Sequence, residues 1–375
     1  MSVWSNLFTK NGLFPKSKQF GPIGLDIRSH SLNMVQVSWD SESRKTTIHV
    51  AISLPLPCSV EELLASPSQF KKIIADTLKN YHFVGKRCVS TLPTNHVKLK
   101  HINYTQQKNQ DNNEAILSFL RELLGEKLES SVIDIIPIRA EYEKQLSRQA
   151  IVAIADRSDV EHYLGLLDRC GIDVDAIEVG PIAIRRLIVA MNPNEKQSKI
   201  LTINVGQDST YLTLIWGRRI LLDRKVAFGT NTIVDAVVKE LDISKAVANT
   251  LLDKYGFEQP ANLTADQQNM AQVLHDIEIP IITILSMSIR DVLLYAASET
   301  RGGGIDSIYL LGAIRRWQGS DALLQKTLSV PVKVIDSLYG FELGNGLHGP
   351  DIKNDDLSGI AVATGMALRG LITNV

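Results

Sequence analysis

Two short stretches carry the residue types that could do chemistry with a phosphate. They are Gly24-Leu-Asp-Ile-Arg-Ser-His-Ser31 in the first half of the chain and Ile203-Asn-Val-Gly-Gln-Asp-Ser-Thr210 in the second. Each follows a small apolar run and precedes an alternating apolar one, Leu32 to Val37 and Tyr211 to Ile215. A tight strand-turn-strand can aim successive backbone N–H groups and a hydroxyl at one anion. The candidate groups are Asp26, Ser29 and Ser31 in the first turn and Gly206, Ser209 and Thr210 in the second. The same text also fits two ordinary β-hairpins, because Ser, Asp and Gly are common turn residues.

No other constellation competes for catalysis. The eight histidines are scattered, with no His-Glu-x-x-His pair. There is no P-loop lysine and no G-x-S-x-G elbow. His30, inside the first turn, is the one histidine placed to matter. The three cysteines, Cys58, Cys88 and Cys170, match neither a metal site nor a disulfide framework and suit a reducing cytoplasm.

A net charge of -1 on 375 residues gives no long-range field to attract nucleic acid. Hydrophobic content of 44% with 22% charge describes globular domains with proper cores, and the length allows two or three of them. No stretch reaches the roughly 18 uncharged apolar residues of a membrane span. Residues 1–20 show no signal-peptide pattern, although Trp4, Leu7 and Phe8 share a helical face, as in a short interfacial helix; a loosely docked tail is the alternative.

The elements that must position the two turns repeat. Ile23 to Ile27, Leu32 to Ser38 and Thr46 to Leu54 read as three consecutive strands, followed by a helix from about Ser59 to Tyr81 and a strand at Arg87 to Leu92. Ile200 to Val205, Tyr211 to Trp216 and Ile220 to Val226 are again three strands, followed by helices and the strand Ser307 to Leu311. Between them, a helix near Ile116, strands Ile133 to Ile138 and Gln149 to Ile154, and a helix Val160 to Cys170 form an inserted module. The linker-like segment Asn192 to Ser198 separates the halves. A long helix, Thr264 to Thr300, is expected to bend at Pro280. The expected domains are a tail (1–20), a first lobe (21–93 with 175–192), the module (94–174), a second lobe (193–232 with 301–375) and a helical insertion within it (233–300).

This layout resembles the α/β, duplicated actin-like (ribonuclease H-like) two-lobe ATPase fold. Within that superfamily the chain is similar to the type IV pilus assembly family PilM, a relative of the cell-division protein FtsA that carries an inserted subdomain; the MshI proteins of MSHA pili belong to the same group. The resemblance rests on Gly24-Leu-Asp-Ile with Ser29 and Ser31, on Ser90-Thr-Leu-Pro93, and on Ala153 with Asp156. In the second half it rests on Val205-Gly206 with Ser209-Thr210, Phe228-Gly229, Ile243-Ser244 with Ala248, Tyr309-Leu-Leu-Gly-Ala313, Pro331-Val332 and Ala363-Thr-Gly-Met-Ala-Leu368.

The resemblance implies a cleft that binds ATP with Mg2+. Asp26, Ser29 and Ser31 would form one phosphate turn and Gly206, Ser209 and Thr210 the other. Gly229, Gly312 and Ala313 would let backbone approach the nucleotide, and Asp26 would hold Mg2+ through water. It also implies a cytoplasmic protein, peripheral at the inner membrane, able to assemble into a ring. A groove between the first lobe and the module, near Ser90 to His96 and Ile133 to Ile138, would hold the cytoplasmic N-terminal peptide of a bitopic PilN-like membrane protein.

Three residues depart from the family pattern. Arg28 replaces a glycine in the first turn, Asn204 replaces an acid in the second, and Leu252 stands where Ala-x-x-x-Lys would place a nucleotide-facing lysine; Lys254 faces elsewhere. Phosphoryl transfer needs positioning and charge neutralisation, so nucleotide is expected as a structural or switching ligand without efficient turnover, or a pocket that binds none. An active ATPase or small-molecule kinase is the enzymatic alternative. An FtsA-like filament former is a second, disfavoured because the text ends at Leu371-Ile-Thr-Asn-Val375 without an amphipathic anchor.

Overall fold

In the computed structural model, strand Ile23–Ile27 is buried on both faces and forms the axis of the first lobe. The structure describes residues 19–371 apart from 44, 108–109, 139–146, 195–196, 259–263, 301, 336–337, 339 and 344–358. The expected interfacial face at Trp4, Leu7 and Phe8 lies outside these residues.

Strand Ile23–Ile27 pairs antiparallel with Ser31–Asp40 and parallel with Arg87–Thr91. Ser31–Asp40 continues to Lys45–Pro55, and Arg87–Thr91 to Asp173–Glu178. The second lobe repeats this order. Lys199–Val205 lies between antiparallel Thr210–Trp216 and parallel Ser307–Gly312, flanked by Arg219–Val226 and Val332–Val334. Each sheet thus puts its first turn at the same edge of its first strand. That duplication is what brings the two phosphate-type turns face to face.

Three apolar layers hold the lobes. Ile23, Leu25 and Ile27 meet Phe70, Ile74, Tyr163 and Leu167 beneath the helices Pro67–Asn80 and Arg157–Arg169. Leu201, Ile203 and Val205 meet the helices Thr230–Leu241, Lys245–Tyr255 and Ala265–Glu299. Between the lobes lie helices Gly180–Met191 and Ala361–Ala367. Their backbones touch, since a Cβ on Gly365 would sit 2.0 Å from the Ala183 carbonyl oxygen. Arg186 locks this crossing: it donates to Glu178 at 2.7 and 2.8 Å and to the Gly365 carbonyl at 2.8 Å, and Arg369 also pairs with Glu178.

The inserted sheet consists of Lys98–Thr105, Ser147–Asp156 and Ser131–Ile138, in that spatial order. Helix Asn112–Leu124, capped by the Asp111 carboxylate, covers one face with Ile116 and Leu120. From the other face Ile138 and Ile151 enter the second-lobe core. There the Tyr295 hydroxyl donates to Gln149 Oε1 at 3.2 Å. The module therefore bridges both lobes, and helix Arg157–Arg169 after it packs on the first lobe and on strands Ser131–Ile138 and Ser147–Asp156 of the inserted sheet.

Sequence periodicity alone does not show strands Lys98–Thr105 and Asp173–Glu178, and the helix expected at Ser59 to Tyr81 is two helices, Val60–Ala65 and Pro67–Asn80. The break follows from Pro67, which disfavours helical backbone at Ser66 (φ -117°, ψ 81°). Helix Ala265–Glu299 runs through Pro280 without ending, with Pro280 on its exposed side. No helix among the described residues is long and apolar enough to cross a membrane.

Candidate functional site

The two turns open onto one cleft of about 960 Å³. Asp26, Ser29 and Ser31 line it from the first lobe; Gly206, Ser209, Gly312 and Ala313 line it from the second. Each turn is closed by a backbone bond, from Arg28 N–H to the Ser31 carbonyl and from Gly206 N–H to the Ser209 carbonyl, both 2.9 Å. Asp26 faces the cleft because Leu25 and Ile27, its neighbours on the strand, face the first-lobe core.

Thr210 and Gly229 do not line the cleft. Thr210 pairs in register with Val205 and Val226, on the core-facing side, and its hydroxyl donates to the Phe228 carbonyl at 2.8 Å. At Gly229 a Cβ would lie 2.0 Å from the Gln207 carbonyl oxygen, so this glycine brings backbone against backbone. Gly312 borders the cleft at φ +88°, with its notional Cβ 2.1 Å from the Val205 carbonyl oxygen. The first amides of helix Thr230–Leu241 are also used within the protein: Thr230 and Asn231 donate to the Gly206 and Gln207 carbonyls at 3.0 and 2.9 Å.

Side-chain charge at the turns is compensated by the protein itself. Asp26 is 4% exposed; one oxygen accepts from Arg28 Nε at 2.7 Å and the other from the Thr91 hydroxyl at 2.9 Å. Asp208 in the second turn accepts from Asn231 at 2.8 Å and faces His30 Nε2 at 3.3 Å, a contact that joins the two lobes across the cleft mouth. Asn204, also 4% exposed, lines the cleft with a buried Oδ1 that has no hydrogen-bond partner among the described residues.

Mg2+ at such turns would need a carboxylate free to hold its water shell. Both oxygens of Asp26 are engaged, one of them by a cation, and Asn204 brings no charge. As these side chains stand, the donor set does not fit a divalent cation at Asp26. Among the described residues no group of three or more His, Cys, Asp or Glu side chains gathers as a metal site.

Sequence reasoning missed Thr91, Asp223 and Arg316. Asp223 reaches the cleft because it is in register with Thr213, whose hydroxyl donates to it at 2.6 Å. Burial pushes its carboxyl up to about 6, against the opposing effect of that hydrogen bond. Leu252 is fully buried in the second-lobe core. Two cations line the cleft on this side, Lys225 and Arg316; Arg316 donates to Asn249 at 2.8 Å and pairs with Asp253 at 3.1 Å. A Gly-Ala turn followed by two arginines is the only sequence signal for it.

A second groove, about 560 Å³, lies where strands Ser131–Ile138 and Asp173–Glu178 approach each other beside Arg218 and Arg219. Each strand is the last of its sheet, with no further strand beyond it among the described residues. The Ile135 amide donates to the Asp134 carboxylate at 2.9 Å, so a side chain covers part of one edge.

Residues 24–371 match the family model of the type IV pilus assembly protein PilM. Comparison with curated proteins returns no match. Among solved structures the chain is similar to a PilM-PilN type IV pilus biogenesis complex (TM-score 0.71, 21% identity, covering 96% of this chain and 100% of that one). It is also similar to the ethanolamine utilization protein EutJ of Carboxydothermus hydrogenoformans (0.51, 11%, 96% and 92%) and to MreB5 of Spiroplasma citri bound to AMPPNP (0.51, 10%, 94% and 95%). These likenesses show an actin-like fold.

Proposed function

Because the chain belongs to the type IV pilus assembly protein PilM family, we propose that it is an adaptor of a pilus inner-membrane assembly complex that captures the cytoplasmic N-terminal segment of a PilN-like membrane protein. The observation that carries this reading is the groove between the inserted sheet and the first lobe, where two sheet edges meet with no strand between them among the described residues. An extended peptide can add to such an edge through main-chain hydrogen bonds while its alternate side chains fill the groove. The complex in a solved relative, of PilM with PilN, agrees with this choice of partner.

In the same reading, the interlobe cleft holds a nucleoside triphosphate as a structural or switching ligand. Turnover is slow, because Asn204 is neutral and Leu252 is buried, so two groups that would orient and neutralise the reacting phosphate are missing.

Calorimetric titration with a synthetic peptide from the cytoplasmic N-terminus of the PilN-like protein tests the adaptor role. Binding should be lost in Ile135→Pro, which removes an edge N–H that its own sheet does not use. Equal affinity in wild type and Ile135→Pro would show that the peptide docks elsewhere.

A further inference from the structure

We propose that nucleotide binding in the interlobe cleft is independent of divalent metal, with the Arg28 guanidinium serving as the built-in counter-ion of the polyphosphate. The inference rests on reading the cleft as a nucleotide site.

Arg28 touches Asp26 only through Nε. Among the described residues, no protein group accepts from its two terminal nitrogens, and the residue lines the cleft beside Ser29 and Ser31. The Asp26 contact fixes the plane of the guanidinium and leaves its terminal N–H groups available, a fork suited to phosphate oxygens. Across the cleft, Asn204 offers a neutral amide almost completely buried, with an oxygen that lacks a partner among the described residues. A polyphosphate would therefore meet donors and a cation at the first turn and no net negative charge at the second turn's strand.

A divalent cation would have to compete with Arg28 for Asp26, and with His30 and Asn231 for Asp208. Glu178, on the cleft wall, is occupied by Arg186 and Arg369. Among the described residues, Asp223 is the one cleft carboxylate without a cationic or amide partner, and it accepts a single hydroxyl, from Thr213. Asp223 is therefore the carboxylate left to hold a divalent metal in this cleft.

The test is the affinity of ATP for the full chain, by calorimetry, in EDTA and in millimolar Mg2+. Wild type should bind equally in the two buffers. Arg28→Ala should weaken binding in EDTA by about tenfold or more, with part of the loss restored by Mg2+. Wild-type binding that appears only with Mg2+ overturns the proposal while leaving the nucleotide reading intact, and its loss in Asp223→Asn would locate the metal. Tighter binding in Arg28→Ala would show that Arg28 fills phosphate space and overturn the proposal as well. Absence of binding in both buffers would reject the nucleotide reading itself. The wild-type comparison needs no variant, so a folding defect in Arg28→Ala leaves it decisive.

Discussion

Replacing Glu278 by glutamine should make the second lobe more stable, increasingly so as pH rises. Glu278 lies inside helix Ala265–Glu299, fully buried, and neither carboxylate oxygen has a hydrogen-bond partner among the described residues. Burial alone raises its carboxyl from 4.5 to about 8. Between those two values the folded chain keeps a proton that the unfolded chain has released, so stability falls as pH rises through the interval and levels off on either side.

Each pH unit inside the window is worth about 1.4 kcal/mol. Relative to a neutral side chain, Glu278 therefore costs about 1 kcal/mol near pH 5 and about 4 kcal/mol near pH 8. The unmet polar atoms of a glutamine add a penalty of their own, but it does not vary with pH. The slope of the difference is therefore the diagnostic. Urea denaturation followed by tryptophan fluorescence provides the assay, since Trp317 is buried in the same core. A difference between wild type and Glu278→Gln that stays constant from pH 5 to 8 would refute the assignment of a neutral, buried Glu278.

Two further predictions concern the cleft. Asp223, with its carboxyl raised to about 6, loses its negative charge as pH falls through that value, so ATP affinity should rise on acidification in wild type and show a weaker pH dependence in Asp223→Asn; calorimetry on either side of pH 6 checks this. Gly312→Ala should lower stability by about 1–3 kcal/mol, because it forces a side chain into φ +88° and against the Val205 backbone, and thermal denaturation will read the loss.

The duplicated three-strand pattern was legible because its side chains alternate and its turns carry small polar residues, both of which are local signals. Strand Asp173–Glu178 was not, for a non-local reason. Its text holds Asp173, Asp175 and Glu178, which argue against a buried strand, yet Arg87 compensates Asp175 and Arg186 compensates Glu178 in the fold. Asp26, Ser29, Ser31, Gly206 and Ser209 line the cleft because they sit in the turns themselves. Thr210 and Gly229 are neighbours of such residues in sequence, but strand register and backbone contact direct them elsewhere. Asp223 and Arg316 are placed by non-local contacts: one reaches the cleft through cross-strand pairing with Thr213, and the other, signalled in sequence only by the Gly-Ala turn before it, is held by partners on helix Lys245–Tyr255.

The adaptor reading and the slow-clamp reading are compatible, because the groove and the cleft share strand Asp173–Glu178 and the start of helix Gly180–Met191: Glu178 and Val179 border both.

Hydrogen–deuterium exchange of the full chain with and without the PilN-like peptide reads out where the peptide docks. Exchange should slow along Ser131–Ile138 and Asp173–Glu178 and stay unchanged in the turns at Arg28 to Ser31 and Gly206 to Ser209. Protection confined to other surfaces, with both edges exchanging as in the free protein, would rule out docking at these sheet edges.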